Sequence, residues 1–165
     1  MDRVHFVVPG NPVGKGRPIM SRRNGQLRAV TPAKTRAYEA TVATYAKEAM
    51  QGHPPFQGAC ALSIVAYMAI PKSWPKWKRR AAMAGKLHPT SKPDWDNIGK
   101  TTDAIGGKPK RGKRPAVPGI VWSDDAHITQ ARVVKLYSAE PRVEISVVHL
   151  EAGERGVKFI APEAA

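Results

Sequence analysis

Four aspartates and one lysine carry the chemistry this sequence could do. Asp94 and Asp96 are separated by a single residue in Ser91-Lys92-Pro93-Asp94-Trp95-Asp96-Asn97-Ile98-Gly99-Lys100. Asp124 and Asp125 follow a short apolar run, Ile120-Val121-Trp122. Carboxylates hold hard divalent cations, and Mg²⁺ takes only a few of them alongside water and substrate phosphate. An Asp-x-Asp pair at the start of a helix supplies two such ligands, and Asp124-Asp125 can bring a third from elsewhere in the fold. Asp96-Asn97 offers a helix cap, which puts Asp96 at the positive helix end. On one continuous helix, Asp96, Lys100 and Asp103 share a face. Lys100 can neutralise a phosphate, or protonate or stabilise a leaving oxygen. Three carboxylates, a lysine and one or two hard metals make a site for phosphodiester hydrolysis. Taken singly, each feature has a plainer explanation: a cap, a surface ion pair, turn residues.

The surrounding chain is strongly basic. In 165 residues, 27 Lys and Arg stand against 13 Asp and Glu, a net charge of +14 and a pI of about 10.3. Such a field draws polyanions, nucleic acid above all. A purely binding protein gains nothing from acids beside phosphates, because the repulsion weakens binding unless a metal intervenes. The single cysteine, Cys60, excludes an internal disulfide and fits a reducing compartment. No apolar run is long enough to span a membrane, and Val4–Val8 is too short for a signal-peptide core. A soluble cytoplasmic protein is expected.

The elements that must position these acids follow from the pattern. Residues 3–8 predict a first strand. Residues 10–30 form a basic loop or hairpin with Asn24-Gly25 as its turn, carrying Lys15, Arg17, Arg22, Arg23 and Arg28 and no acid. Thr31 as N-cap and Pro32 at the first helical position open a helix running to about Met50. Its apolar face is Tyr38, Val42, Tyr45 and Ala49. Residues 59–70 read as a long strand with Cys60, Leu62, Ile64, Ala66, Met68 and Ile70 on its more apolar face. Ser73-Trp74-Pro75 opens a second helix bearing Lys76, Lys78, Arg79 and Arg80, with Gly85 at its C-terminal cap. Residues 94–105 predict a third helix. Residues 106–119, with Lys108, Lys110 and Arg111, read as an irregular basic loop. Residues 127–137 and 143–150 predict two strands joined as a hairpin. The whole is an α/β fold of the α+β kind: one domain, residues 1–152, with a mixed sheet and helices packed on it, then a tail over 153–165. The basic arm, the second helix and the 106–119 loop are the candidate DNA contacts: Lys15, Arg17, Arg22, Arg23, Lys76, Arg79, Lys108, Lys110 and Arg111.

The order of motifs resembles the RusA family of Holliday junction resolvases, often carried by phages and prophages. The resemblance rests on Lys92-Pro93-Asp94-Trp95-Asp96-Asn97-Ile98-x-Lys100 followed by Val121-Trp122-Ser123-Asp124-Asp125-Ala126-His127-Ile128. Pro12-Val13-Gly14-Lys15-Gly16-Arg17-Pro18, Thr31-Pro32, Pro71-Lys72-Ser73-Trp74 and Pro141-Arg142-Val143-Glu144-Ile145 extend it over residues 4–150. It implies a homodimeric endonuclease that binds four-way DNA junctions and nicks two strands symmetrically in recombination and repair, with Mg²⁺ as cofactor and Mn²⁺ as a substitute. By motif position, Asp94, Asp96 and Asp125 would bind the metal, Asp124 would be an auxiliary acid and Lys100 the catalytic lysine. The chain departs from the family pattern in two places. The stretch from Lys100 to Asp103-Ala104-Ile105 is one residue shorter, and the 106–119 loop is longer and more basic. That loop is an added DNA contact, a dimer element or a passive insertion.

Overall fold

The computed structural model describes residues 1–110, 112 and 115–151, apart from the side chain of Arg23. Its elements are β1 (Arg3–Pro9), β2 (Ile19–Arg23), β3 (Gln26–Val30), α1 (Ala33–Met50), β4 (Cys60–Ala69), α2 (Lys76–Met83), α3 (Trp95–Gly99), β5 (Ile128–Ser138) and β6 (Arg142–His149). Short 3-10 helices lie at Lys100–Ala104 and Asp125–His127. Arg111 and the tail over 153–165, both singled out in the sequence, lie outside the described residues.

One mixed sheet, in the order β1-β6-β4-β5, carries the core. β4 is almost wholly apolar, buried on both faces along most of its length, and a strand of that kind needs a neighbour on each side. It pairs antiparallel with β6 and parallel with β5. The last two strands are therefore antiparallel but not a hairpin, as the sequence had suggested, because β4 lies between them. Short-range economy favours pairing neighbours in sequence, but burial of β4 decides otherwise.

The register lines up apolar rows: Val4–Val147–Leu62, Phe6–Ile145–Ile64 and Val8–Val143–Ala66. These rows pack against Val42, Ala46 and Met50 of α1, Ile98 of α3 and the buried Trp122. Across β5 the same rows continue to Ala131, Val133 and Lys135. α3 sits over this edge, where a side chain at Gly99 would meet Val133 at 3.5 Å. α2 reaches β5 through Trp74, whose ring meets Tyr137 edge-on at 5.3 Å. Among the described residues no helix is long and apolar enough to cross a membrane.

Local chemistry sets the boundaries. β2 and β3 form a separate hairpin turned at Asn24 and Gly25, both at positive φ as a tight primed turn requires. Helix α1 starts one residue later than expected. Pro32 has ψ of 144°, so it stands at the cap and Ala33 is the first helical residue, with no side-chain cap. α2 ends in a Schellman motif on Gly85: Lys86 N–H donates to Ala81 O at 2.9 Å and Gly85 N–H to Ala82 O at 3.1 Å.

Candidate active site

The acidic stretch does not form one long helix over 94–105. It makes a single α-turn, α3, and then tightens to 3-10 geometry. The hydroxyls of Thr101 and Thr102 donate to Ile98 O and Gly99 O at 2.6 and 2.7 Å. These bonds, each reaching back three residues, accompany the tightening. The cap is Asp94, not Asp96. Asp94 has extended backbone and makes no side-chain cap bond, and Asp96 falls in the first turn. Lys100 donates to Asp96 Oδ2 at 2.9 Å. That hydrogen bond holds the Asp96 carboxyl below the usual carboxylate range. Asp103 turns away to other cations, Lys15 at 2.8 Å and Lys108 at 3.8 Å, so the shared face expected for Asp96, Lys100 and Asp103 is split between separate partners.

The loop before Asp94 is held from below. Lys135, on the core face at the edge strand, donates to Ser91 O at 2.7 Å and Pro93 O at 3.0 Å. The Lys92–Pro93 bond is cis. Nothing in the sequence singles out Lys135, because a lone lysine in a strand reads as a solvent-facing residue. Trp95, between the two acids, is 66% exposed. An apolar ring of that size left in water beside two carboxylates is the second residue that sequence reasoning passed over.

Asp124 and Asp125 start the second 3-10 helix. Asp124 Oδ1 accepts from Ala126 N–H at 2.9 Å, capping that turn. Asp125 Oδ1 accepts from the indole N–H of buried Trp122 at 3.1 Å. The 106–119 segment is less irregular than its composition suggests. Gly107 N–H donates to Trp122 O at 2.8 Å, and Lys108 and Val117 exchange two backbone bonds of 2.8 Å. Ile120–Trp122 joins the fold through isolated bridges of Trp122 to Phe56 and Gly106, not as a strand.

Two surface grooves flank these acids. One, of about 790 Å³, is lined by Lys15, Arg17, Lys34, Lys92, Asp94 and Asn97 among others. The other, of about 470 Å³, is lined by Lys108, Val117, Asp124 and Asp125 among others. Arg17, Arg22, Lys76, Arg79, Lys108 and Lys110 are exposed, as phosphate contacts must be. Two cations of the set are already engaged: Lys108 Nζ stands 3.8 Å from Asp103 Oδ2, and the half-buried Lys15 pairs more closely with Asp103 and with Glu39 at 3.2 Å.

The oxygen-only donor set fits a hard divalent cation, which needs few protein carboxylates. Among the described residues, however, no three His, Cys, Asp or Glu side chains stand close enough together to hold a metal. The expected three-carboxylate group is therefore not assembled here: Asp96 faces Lys100 and Asp125 faces Trp122.

Acids at two short helix starts, a basic groove beside the first and a mixed α/β fold are what a small DNA-cutting enzyme needs. The family model described as Endodeoxyribonuclease RusA matches residues 9–148, and the chain belongs to this family of junction-resolving endonucleases. It is also 34% identical over 157 residues to a Bacillus subtilis (strain 168) protein named "Uncharacterized protein YqaN", covering 92% of this chain and all of the relative.

Proposed function

We propose that this protein is a metal-dependent endonuclease that resolves four-way DNA junctions by paired phosphodiester hydrolysis, acting as a cytoplasmic homodimer in recombination and repair. The observation that carries the reading is Asp94 at the lip of the basic groove, on a loop fixed by Lys135, in a chain of the RusA family. A twofold dimer suits a junction, since two sites then face two strands of like polarity. Residues 1–152 form the nuclease domain in this reading.

Asp94, Asp96 and Asp125 would hold Mg²⁺ or Mn²⁺, with Asp124 auxiliary. The cation, when bound, supplies Lewis acidity and offsets charge growing on the phosphate. Lys100 exchanges its bond to Asp96 for the scissile phosphate or the leaving oxygen. The exposed cations of the hairpin, α2 and the 106–119 segment hold the DNA backbone so that the scissile bond lies in line.

The test is a labelled four-way junction incubated with and without Mg²⁺, beside Asp96→Asn. Metal-dependent paired nicks are expected from the wild type only, with junction binding retained in the variant. Equal cleavage by the variant removes the assigned site. Binding without cleavage in any divalent metal makes the protein a junction-binding scaffold or a general nucleic-acid binder.

A further inference from the structure

Residues 12–17 have no regular secondary structure, yet they are tied down at several points. Lys15 N–H donates to Asn97 O at 2.7 Å, and Gly16 N–H donates to Thr35 Oγ1 at 3.1 Å. A side chain at Gly14 would stand 2.7 Å from Pro93 Cβ and 3.1 Å from Asn97 Cβ. The arm therefore lies directly against the turn that carries Asp94 and Asp96. Beside it, Lys15 Nζ sits 2.8 Å from Asp103 Oδ2 and 3.2 Å from Glu39 Oε1. These carboxylates come from the 3-10 segment after Lys100 and from α1. The Lys15 and Glu39 side chains are only 27% and 20% exposed. Two acids brought together on different elements repel unless a cation stands between them, and partial burial strengthens that requirement.

We propose that Lys15, Asp103 and Glu39 form a positioning element that fastens the basic arm and α1 to the acidic turn, so that Lys15 is not a phosphate contact and Asp103 is not a metal ligand. Asp103 thereby acquires a role that its one-residue displacement from the family pattern left open. The cation pulls the arm onto the 3-10 segment, and the arm's main chain then holds the Asn97 carbonyl, one residue from Asp96. The proposal rests on the reading of Asp94 and Asp96 as catalytic carboxylates only for its effect on cleavage. The tie itself can be tested without that reading.

Four variants separate positioning from DNA contact: Lys15→Met, Asp103→Asn, the two combined, and Lys15→Arg. Metal-free junction affinity and its salt dependence are measured together with kcat and KM for junction cleavage. Amide hydrogen exchange at Lys15 is followed by NMR. A positioning element predicts a loss of kcat of about 10²-fold in each single variant, as for a displaced catalytic group. KM and metal-free affinity stay unchanged, and the double variant loses no more than either single one. Lys15→Arg, which keeps the charge, retains most of the rate. The Lys15 amide exchanges faster in Asp103→Asn. The proposal is overturned if Lys15→Met weakens junction binding and lowers the salt slope by about 1 while Asp103→Asn does neither, the signature of a phosphate contact. Unchanged exchange at the Lys15 amide in Asp103→Asn also overturns it, whether or not the wild type cleaves. Absence of cleavage by the wild type, with exchange responding as expected, sinks the catalytic reading and leaves the tie standing.

Discussion

The main-chain N–H of Asp125 donates to Gly107 O at 3.0 Å, so the second acidic motif is fastened to the chain just beyond the first. The bond exists because the backbone can pass very close there. A Cβ on Gly107 would stand 2.0 Å from Ser123 O, and one on Gly106 would stand 2.1 Å from Asp125 Oδ1. Gly107→Ala is expected to cost about 1–3 kcal/mol through forced backbone displacement. Cleavage should fall further than stability, because Asp125 moves with it. Thermal denaturation and junction cleavage on the same samples check this. A variant that melts and cleaves like the wild type would show that the close approach is dispensable.

Lys100 and Asp96 form a pair across one helical turn on the surface, a kind that adds little to stability. Lys100→Met should therefore leave the melting temperature nearly unchanged. As the group proposed to meet the scissile phosphate or leaving oxygen, it should nonetheless cost about 10²–10⁴-fold in kcat. A fall in stability matching the fall in rate would make the lysine structural.

Trp95 offers an exposed ring between the two acids. A base stacked on such a ring contributes about 1–3 kcal/mol. Trp95→Ala should weaken junction binding by that amount, with little change in stability. Trp95→Phe should recover part of it. Equal affinity of all three proteins in a fluorescence anisotropy titration would exclude base stacking there.

The exposed cations define a salt signature. Contact with six to ten phosphates lowers affinity by about 10³–10⁵ between 50 and 200 mM salt. Arg22→Glu on the hairpin and Lys76→Glu on α2 should each flatten that dependence by about one ion or more, without loss of fold. A flat wild-type profile would show that the charge of +14 is not a DNA footprint.

Lys15 supplies a pH dependence. Burial by itself would lower its pKa, but Asp103 and Glu39 outweigh that, and the net shift is upward from the ordinary 10.5. A raised folded-state pKa means the ion pairs contribute fully below the unfolded value and fade as pH rises through the folded one. The gap in melting temperature between wild type and Lys15→Met should therefore hold constant through neutral pH and close only above about pH 10.5. A gap that closes between pH 6 and 9 would point to a different group.

Much of the fold is legible in sequence wherever one segment decides its own state. The alternation in β1 and β6, the apolar run of β4, the Asn24-Gly25 turn and the glycine that ends α2 all behave as their local chemistry demands. The errors share another cause. β5 and β6 are not a hairpin because a third strand claims the place between them. The 94–105 helix tightens where threonine hydroxyls bond back to the chain. The 106–119 loop is ordered at both ends by glycines that fit against Trp122 and Ser123, contacts that composition cannot reveal.

The sequence by itself determined the materials: two closely spaced aspartate pairs, a large basic excess, and an ordered set of motifs that marks the RusA family. Tertiary structure decided which charge meets which. Lys15 reads as one more phosphate-binding residue in a basic arm, but it is paired with Asp103, 88 residues away in the chain. Asp125 reads as an acid with two open oxygens, and the fold commits one of them, Oδ1, to the Trp122 indole N–H. Side-chain type fixes what a group can bind, whereas its partner depends on distance and burial, and those exist only once remote segments have packed together.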